Sequence, residues 1–176
     1  KFKDQAEALK QDHENIRFLP GISIPWSIRI TSDLKEALQG SDYIVFVTPS
    51  HTVREVARNV ASMSTLNRRA VVINASKGLE EKTLCRMSEI LVEELPQRAA
   101  LITGLLGPSH AEEVSRKMPT SVVVAGQNQK VLRKVQYLFM SNHFRVYTNT
   151  DLVGVEIGVS LKNTIAIAAG ICDGLG

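Results

Sequence analysis

The sequence predicts an α/β protein built on a doubly wound, mostly parallel sheet, and three observations carry that reading. Short runs rich in Val and Ile recur along the chain with helical patterns between them. Most of these runs are apolar throughout instead of alternating, as strands covered on both faces must be. The composition, 44% hydrophobic and 22% charged over 176 residues, suits a soluble chain able to bury a real core.

The elements follow in order. KFKDQAEALK reads as an amphipathic opening helix of mixed charge, and ENIRFLPGISIPWS as a loop. SDLKEALQG (32–40) is helical and leads into the strand DYIVFVTP (42–49). Pro49 stops that strand and Ser50 can cap the helix HTVREVARNVASM (51–63). RAVVINAS (69–76) is the next strand. A helix is predicted over 79–95, because Leu84, Met87, Leu91 and Leu95 share one stripe. ALITGLLG (100–107) is a strand, and Ser109 with Glu112 forms the S-x-x-E pattern of a capping box opening a helix over 109–117. TSVVVAG (120–126), NQKVLRKVQYLFM (128–140) and HFRVYT (143–148) complete the alternation. From about 150 to 170 runs a long, apolar, glycine-bearing helix that reads as the start of a second, helical domain. An α/β pattern that begins mid-motif is expected to be part of a larger protein.

Charge and cysteine usage narrow the classes. The net charge is only +3 and the bases are scattered, which argues against nucleic acid and leaves room for a small anion. Cys85 and Cys172 sit in apolar, helix-like surroundings far apart, which predicts reduced core thiols and a reducing compartment, so a cytoplasmic location. His13, His51, His110 and His143 lack metal-ligand spacing, so no metal is expected. The uncharged run 163–172 is about half of a membrane span, so no span is expected, and no secretory leader is recognisable.

Ligands of open α/β sheets gather beyond the carboxyl ends of the strands. Three loops there carry unusual residues. TPSH (48–51) is either a plain turn or the wall of a nucleotide site. NASKGLE (74–80) places Lys77 just past a buried strand, as a solvated lysine or as a charge for an anionic ligand. GPSHAEE (107–113) offers a turn, a serine and a helix start that can bind phosphate or serve only as a cap. Lys162, in SLKNTIAIAAG, has Gly158, Val159, Ile165 and Ala166 as helical neighbours. By spacing alone it is a snorkelling stem, a structural ion pair, or a lysine tuned for proton exchange. The G-x-G-x-x-G turn of dinucleotide sites does not occur.

Taken together, HENIRFLPGI, VTPSH, ASKGLE, GPSHAEEV, PTSVVVA, FRVYTNTDLVGVEIG and LKNTIAIAAGICDGLG resemble the bacterial type of the NAD(P)-dependent glycerol-3-phosphate dehydrogenase family, from about residue 11 onward. The resemblance implies an incomplete NAD(P)-binding Rossmann domain over 1–148 and the first helix of the substrate domain over 149–176. It implies Lys162 as the catalytic proton carrier and substrate ligand. Lys77 would touch both cofactor and substrate, Gly107 and Ser109 substrate, and Phe18 and Ala111 cofactor. At position 18 the bacterial enzymes commonly have tyrosine, and where they have serine before GPS this chain has Leu106. The implied reaction is NAD(P)H-dependent reduction of dihydroxyacetone phosphate to sn-glycerol 3-phosphate for glycerophospholipid synthesis, by a full-length homodimer. The piece lacking the pyrophosphate loop is expected to be inactive. Two alternatives stand beside it: another two-domain 2-hydroxyacid dehydrogenase, and a non-catalytic nucleotide-sensing module.

Overall fold

The computed structural model describes residues 3–64 and 66–176. Helix α1 (Lys3–Asp12) opens the chain; Lys1 and Phe2 of its predicted span lie outside the described residues. His13 then takes a left-handed φ of 46° and turns the chain into an antiparallel ribbon, β1 (Glu14–Asn15) and β2 (Leu19–Ser23), where the sequence suggests a loop. Local polar contacts close the ribbon: His13 Nδ1 donates to the Ile24 carbonyl at 3.1 Å, and the Gly21 amide donates to Glu14 at 2.7 Å. Helix α2 (Leu34–Leu38) follows, capped by the Asp33 carboxylate, which accepts from the Lys35 amide.

Five strands then form one sheet in the order β3 (Tyr43–Phe46), β4 (Val71–Asn74), β5 (Ile102–Leu106), β6 (Thr120–Ala125) and β7 (Phe144–Asn149). Each strand falls within its predicted run, up to three residues short at an end, except that β7 runs one residue past it. Pairing is parallel except between β5 and β6, where Gly104 stands opposite Ala125 in an antiparallel register. The reason lies in the connection. Its only helix, α5 (Ala111–Ser115), has five residues and packs against β2. A parallel return needs a crossover long enough to span the sheet, usually a full helix.

Strand alternation divides the core. Phe46 and Val72 face one side, under α3 (Val53–Ala61) and α4 (Met87–Glu94). Ile73, Val124 and Val146 face the other, under α6 (Gln129–Phe139). Each fully buried Val or Ile contributes roughly 1.5–3 kcal/mol, so these two layers hold the sheet.

Three helices depart from prediction. Ser50 opens a 3-10 turn, Ser50–Thr52, and makes no side-chain cap to α3. The helix expected over 79–95 begins only at Met87. Leu84 takes a φ of 58° and is 69% exposed, while Leu79 pairs with Arg86 across a turn. An ion cluster pulls this segment outward. Arg54 of α3 donates to Glu80, Glu93 and Glu94 at 2.7–2.9 Å, and the Thr83 hydroxyl donates to Glu80. The apolar stripe survives only in Met87, Leu91 and Leu95, all buried.

The third is α7 (Leu152–Leu175), 24 residues long, capped by Asp151, which accepts from the Gly154 amide at 2.8 Å. Its first turns pack on β5 and β6. Beyond Lys162 every residue is exposed, including Ile165, Ile167, Ile171 and Leu175. The run 163–172 understates this helix: by length and composition alone α7 is long and apolar enough to cross a membrane. Cys85 lies half-buried against the core, but Cys172 is exposed on α7, so the expectation of two core thiols fails for Cys172; both are free.

Candidate functional site

Because β3, β4 and β5 are parallel, the loops that leave them emerge at one edge of the sheet. The turn after β4 is built from its own polar groups. The buried Asn74 amide donates to the Ser76 carbonyl and accepts from the Ser76 N–H, both at 3.0 Å. Ser76 Oγ in turn accepts from the Thr48 amide at 3.1 Å, joining this loop to the one after β3. Gly78 follows with a φ of 104°, which side-chain-bearing residues rarely adopt, and doubles the chain back behind Lys77.

Lys77 therefore stands at the crest of the edge. Its Nζ donates to the Ser109 carbonyl at 3.0 Å and lies 3.5 Å from the Ser109 hydroxyl. Gly107 makes this contact possible: a Cβ there would lie 2.9 Å from the Ser121 carbonyl oxygen and from Val122 Cα, so only glycine lets the loop press against β6. The predicted capping box does not form. Helix α5 starts at Ala111 with His110 as its cap residue, and Ser109 is turned toward Lys77 instead.

Lys162 reaches the same edge by a different route. Since β6 and β7 run against β5, β7 ends at the opposite edge of the sheet, and α7 starts there. Leu152 packs at Gly104 in mid-sheet, where a Cβ would approach to 3.0 Å. The ten residues from Leu152 to Lys162 climb about 15 Å, close to the height of a five-residue strand. Lys162 arrives half-buried, donating to Asn163 Oδ1 at 2.8 Å. Loss of water around the Lys77 ammonium, and then the charge of Lys162, push Lys77 below the ordinary lysine value. Two like charges held within reach of one another predispose the edge to an anion.

Phe18 and Ala111 lie on two elements that meet next to the Ser109 loop. Phe18 is exposed in the β1–β2 turn with the Arg17 guanidinium 5.0 Å above its ring, and the ribbon packs on α5, which Ala111 opens. Lys77 and Ser109 are thus in direct contact in the loops that follow β4 and β5, and Lys162 lies close enough for its charge to act on Lys77.

The sequence reading misses several positioning groups. The Thr48 hydroxyl is buried without a hydrogen-bond partner at the carboxyl end of β3. Glu156 is buried on α7, where its carboxylate accepts from Arg86 at 2.8 Å, from the Ser88 amide at 2.9 Å and from the Ser88 hydroxyl. One signal for Glu156 existed: a carboxylate inside an otherwise apolar helix asks for a partner.

Loops converging beyond parallel strands, with cations at their crests, are the arrangement of a Rossmann-type α/β protein. The chain belongs to the NAD-dependent glycerol-3-phosphate dehydrogenase family: residues 1–132 match the family's N-terminal portion and residues 151–176 its C-terminal portion. It is 47% identical over 168 residues to the glycerol-3-phosphate dehydrogenase (NAD(P)+) of Clostridium tetani, covering 96% of this chain and 47% of that protein. It is similar to the solved glycerol-3-phosphate dehydrogenase of Coxiella burnetii, with a TM-score of 0.82 and 30% identity, over 98% of this chain and 51% of that one. The Plasmodium falciparum enzyme superposes with a TM-score of 0.85 at 25% identity, over 97% and 47% of the two chains. The chain spans about half the length of the curated relatives it matches.

Proposed function

We propose that the whole protein reduces dihydroxyacetone phosphate to sn-glycerol 3-phosphate with NAD(P)H, in the cytoplasm, as a step toward glycerophospholipids. The observation that carries the reading is the meeting of Lys77, Ser109 and Lys162 at the carboxyl edge of the sheet in a chain of this family. In this reading residues 1–148 belong to the dinucleotide domain and α7, within 149–176, opens the substrate domain.

The residues fit a dinucleotide at this edge. The unpartnered Thr48 hydroxyl is a buried polar atom awaiting a donor or acceptor, and the exposed Phe18 ring and Ala111 leave a flank for an aromatic base or nicotinamide. When bound, the nicotinamide supplies the hydride; the rest falls to the chain. Lys162 donates the proton that the substrate's carbonyl oxygen needs once it becomes an alkoxide, and takes it back in the reverse direction. Lys77 offsets negative charge on substrate and cofactor, held on station by Ser109. Gly107 keeps the loop low enough for substrate to approach both ammonium groups.

The test is Lys162→Ala in the full-length enzyme. Loss of a positioned proton donor is expected to lower kcat about 10²–10⁴-fold, while NAD(P)H binding followed by fluorescence is retained. Turnover of dihydroxyacetone phosphate at the parent rate by this variant overturns the reading. Preference for a 2-keto acid over dihydroxyacetone phosphate in the parent enzyme redirects it to another dehydrogenase.

A further inference from the structure

Every residue of α7 beyond Lys162 is exposed, so the place of Lys162 depends on how the first turns of the helix are fixed to the sheet. Besides the packing of half-buried residues on β5 and β6, three contacts stand out there. Asp151 caps the helix, Leu152 lies against Gly104, and Glu156 is the helix's buried residue. The first two are short-range and tolerate rotation about the helix axis. Glu156 does not, because its carboxylate is held from three directions by Arg86 and by the amide and hydroxyl of Ser88. Arg86 is itself held by Glu89, whose carboxylate accepts from the Arg86 guanidinium and the Arg86 amide, both at 2.8 Å. The start of α4 is thereby a preformed socket for one carboxylate of α7.

We propose that Glu156, seated in the Arg86–Ser88 socket, is a positioning residue that sets where the Lys162 ammonium sits relative to Lys77. This rests on the reading of Lys162 as the proton carrier. The six residues from Glu156 to Lys162 rise about 9 Å. A tilt of about 10° at the socket moves the ammonium by about 1.5 Å, and misplacement by 1 Å can cost about 10²-fold in rate. The chain places no other buried charge on α7 among the described residues. Turnover is therefore more sensitive to this contact than dinucleotide binding, whose flank at Phe18 and Ala111 lies on other elements.

The experiment uses the full-length enzyme and three variants. Glu156→Gln keeps the shape and turns one acceptor oxygen into a donor facing Arg86. Its kcat is expected to fall about 10- to 100-fold, with KM for NAD(P)H within about twofold. The double variant Glu156→Gln with Arg86→Gln removes the half-buried guanidinium that Glu156→Gln leaves with Glu89 as its remaining carboxylate partner, so Tm is expected to recover while kcat stays low. Glu156→Asp keeps the charge at shorter reach and is expected to fall between parent and Glu156→Gln. A folded Glu156→Gln with parental kcat overturns the proposal. So does kcat returning together with Tm in the double variant, because the socket would then serve folding alone. A parent enzyme inactive on dihydroxyacetone phosphate would instead overturn the functional reading, leaving the socket's effect to be read on the substrate it does turn over.

Discussion

Two ammonium groups within electrostatic reach repel, and Lys77 records the cost. Its charged form is disfavoured first by partial loss of water and then by Lys162, so its folded value lies below the ordinary 10.5. The sign follows. Without ligand, the charged Lys77 opposes folding at neutral pH, and that opposition fades as pH rises through the lowered value. With an anionic substrate the same charge is an asset, present below the lowered value and lost above it. The KM for dihydroxyacetone phosphate is therefore expected to rise on the alkaline side earlier than an unperturbed lysine allows. Lys77→Gln should flatten that rise and lift KM about tenfold or more at neutral pH, the scale of one charge-assisted hydrogen bond. Initial rates across pH for parent and variant check both outcomes; a Lys77→Gln profile that keeps the alkaline rise would assign it elsewhere.

At the scale of elements, the Arg54 cluster ties α3, the 79–86 segment and α4 together. Hydrogen bonds from Arg54, and then from Thr83, hold Glu80 down at about 2. A carboxylate lowered on folding stabilises above its unfolded value and loses that contribution as pH falls through the folded one. The window runs from the ordinary 4.5 to about 2. Glu80→Gln is expected to shrink the pH dependence of urea unfolding in that window and leave it unchanged above. An unchanged acid slope would place the sensitivity in other carboxylates. The same cluster explains why 79–86 misreads as helix. Leu84 has the right spacing to Met87 and Leu91, but spacing counts only apolar positions, and here a three-acid grip on one arginine outweighs a single leucine.

At the scale of the molecule, the strands were legible because each is an apolar run bounded by Pro, Gly or polar residues, a signal that depends on neighbours in sequence. Their mostly parallel pairing was legible too, but the place of the one reversal was not. Nothing local in TSVVVAG distinguishes a strand that joins β5 parallel from one that joins it reversed; the difference lies in a five-residue helix that packs on β2. The site divides the same way. Lys77, Ser109 and Lys162 could be singled out as charges and hydroxyls in odd surroundings, with roles implied by family resemblance. Ser76 and Glu156 escaped because their meaning lies in distant partners, 28 residues away for Thr48 and Ser76 and 70 for Arg86 and Glu156.

The climb of α7 across the sheet gives that helix an angular phase as well as a length. Inserting one residue between Glu156 and Lys162 leaves the socket filled and the fold intact, yet turns the lysine by about 100° and lifts it about 1.5 Å. The ammonium is then carried away from the place where its charge acts on Lys77. Such an insertion in the full-length enzyme is expected to abolish turnover at unchanged Tm, and a second insertion of about three residues, closing one turn, to restore the azimuth but not the height. The helix works as a dial with a single reading, set at the Glu156 socket and read at Lys162.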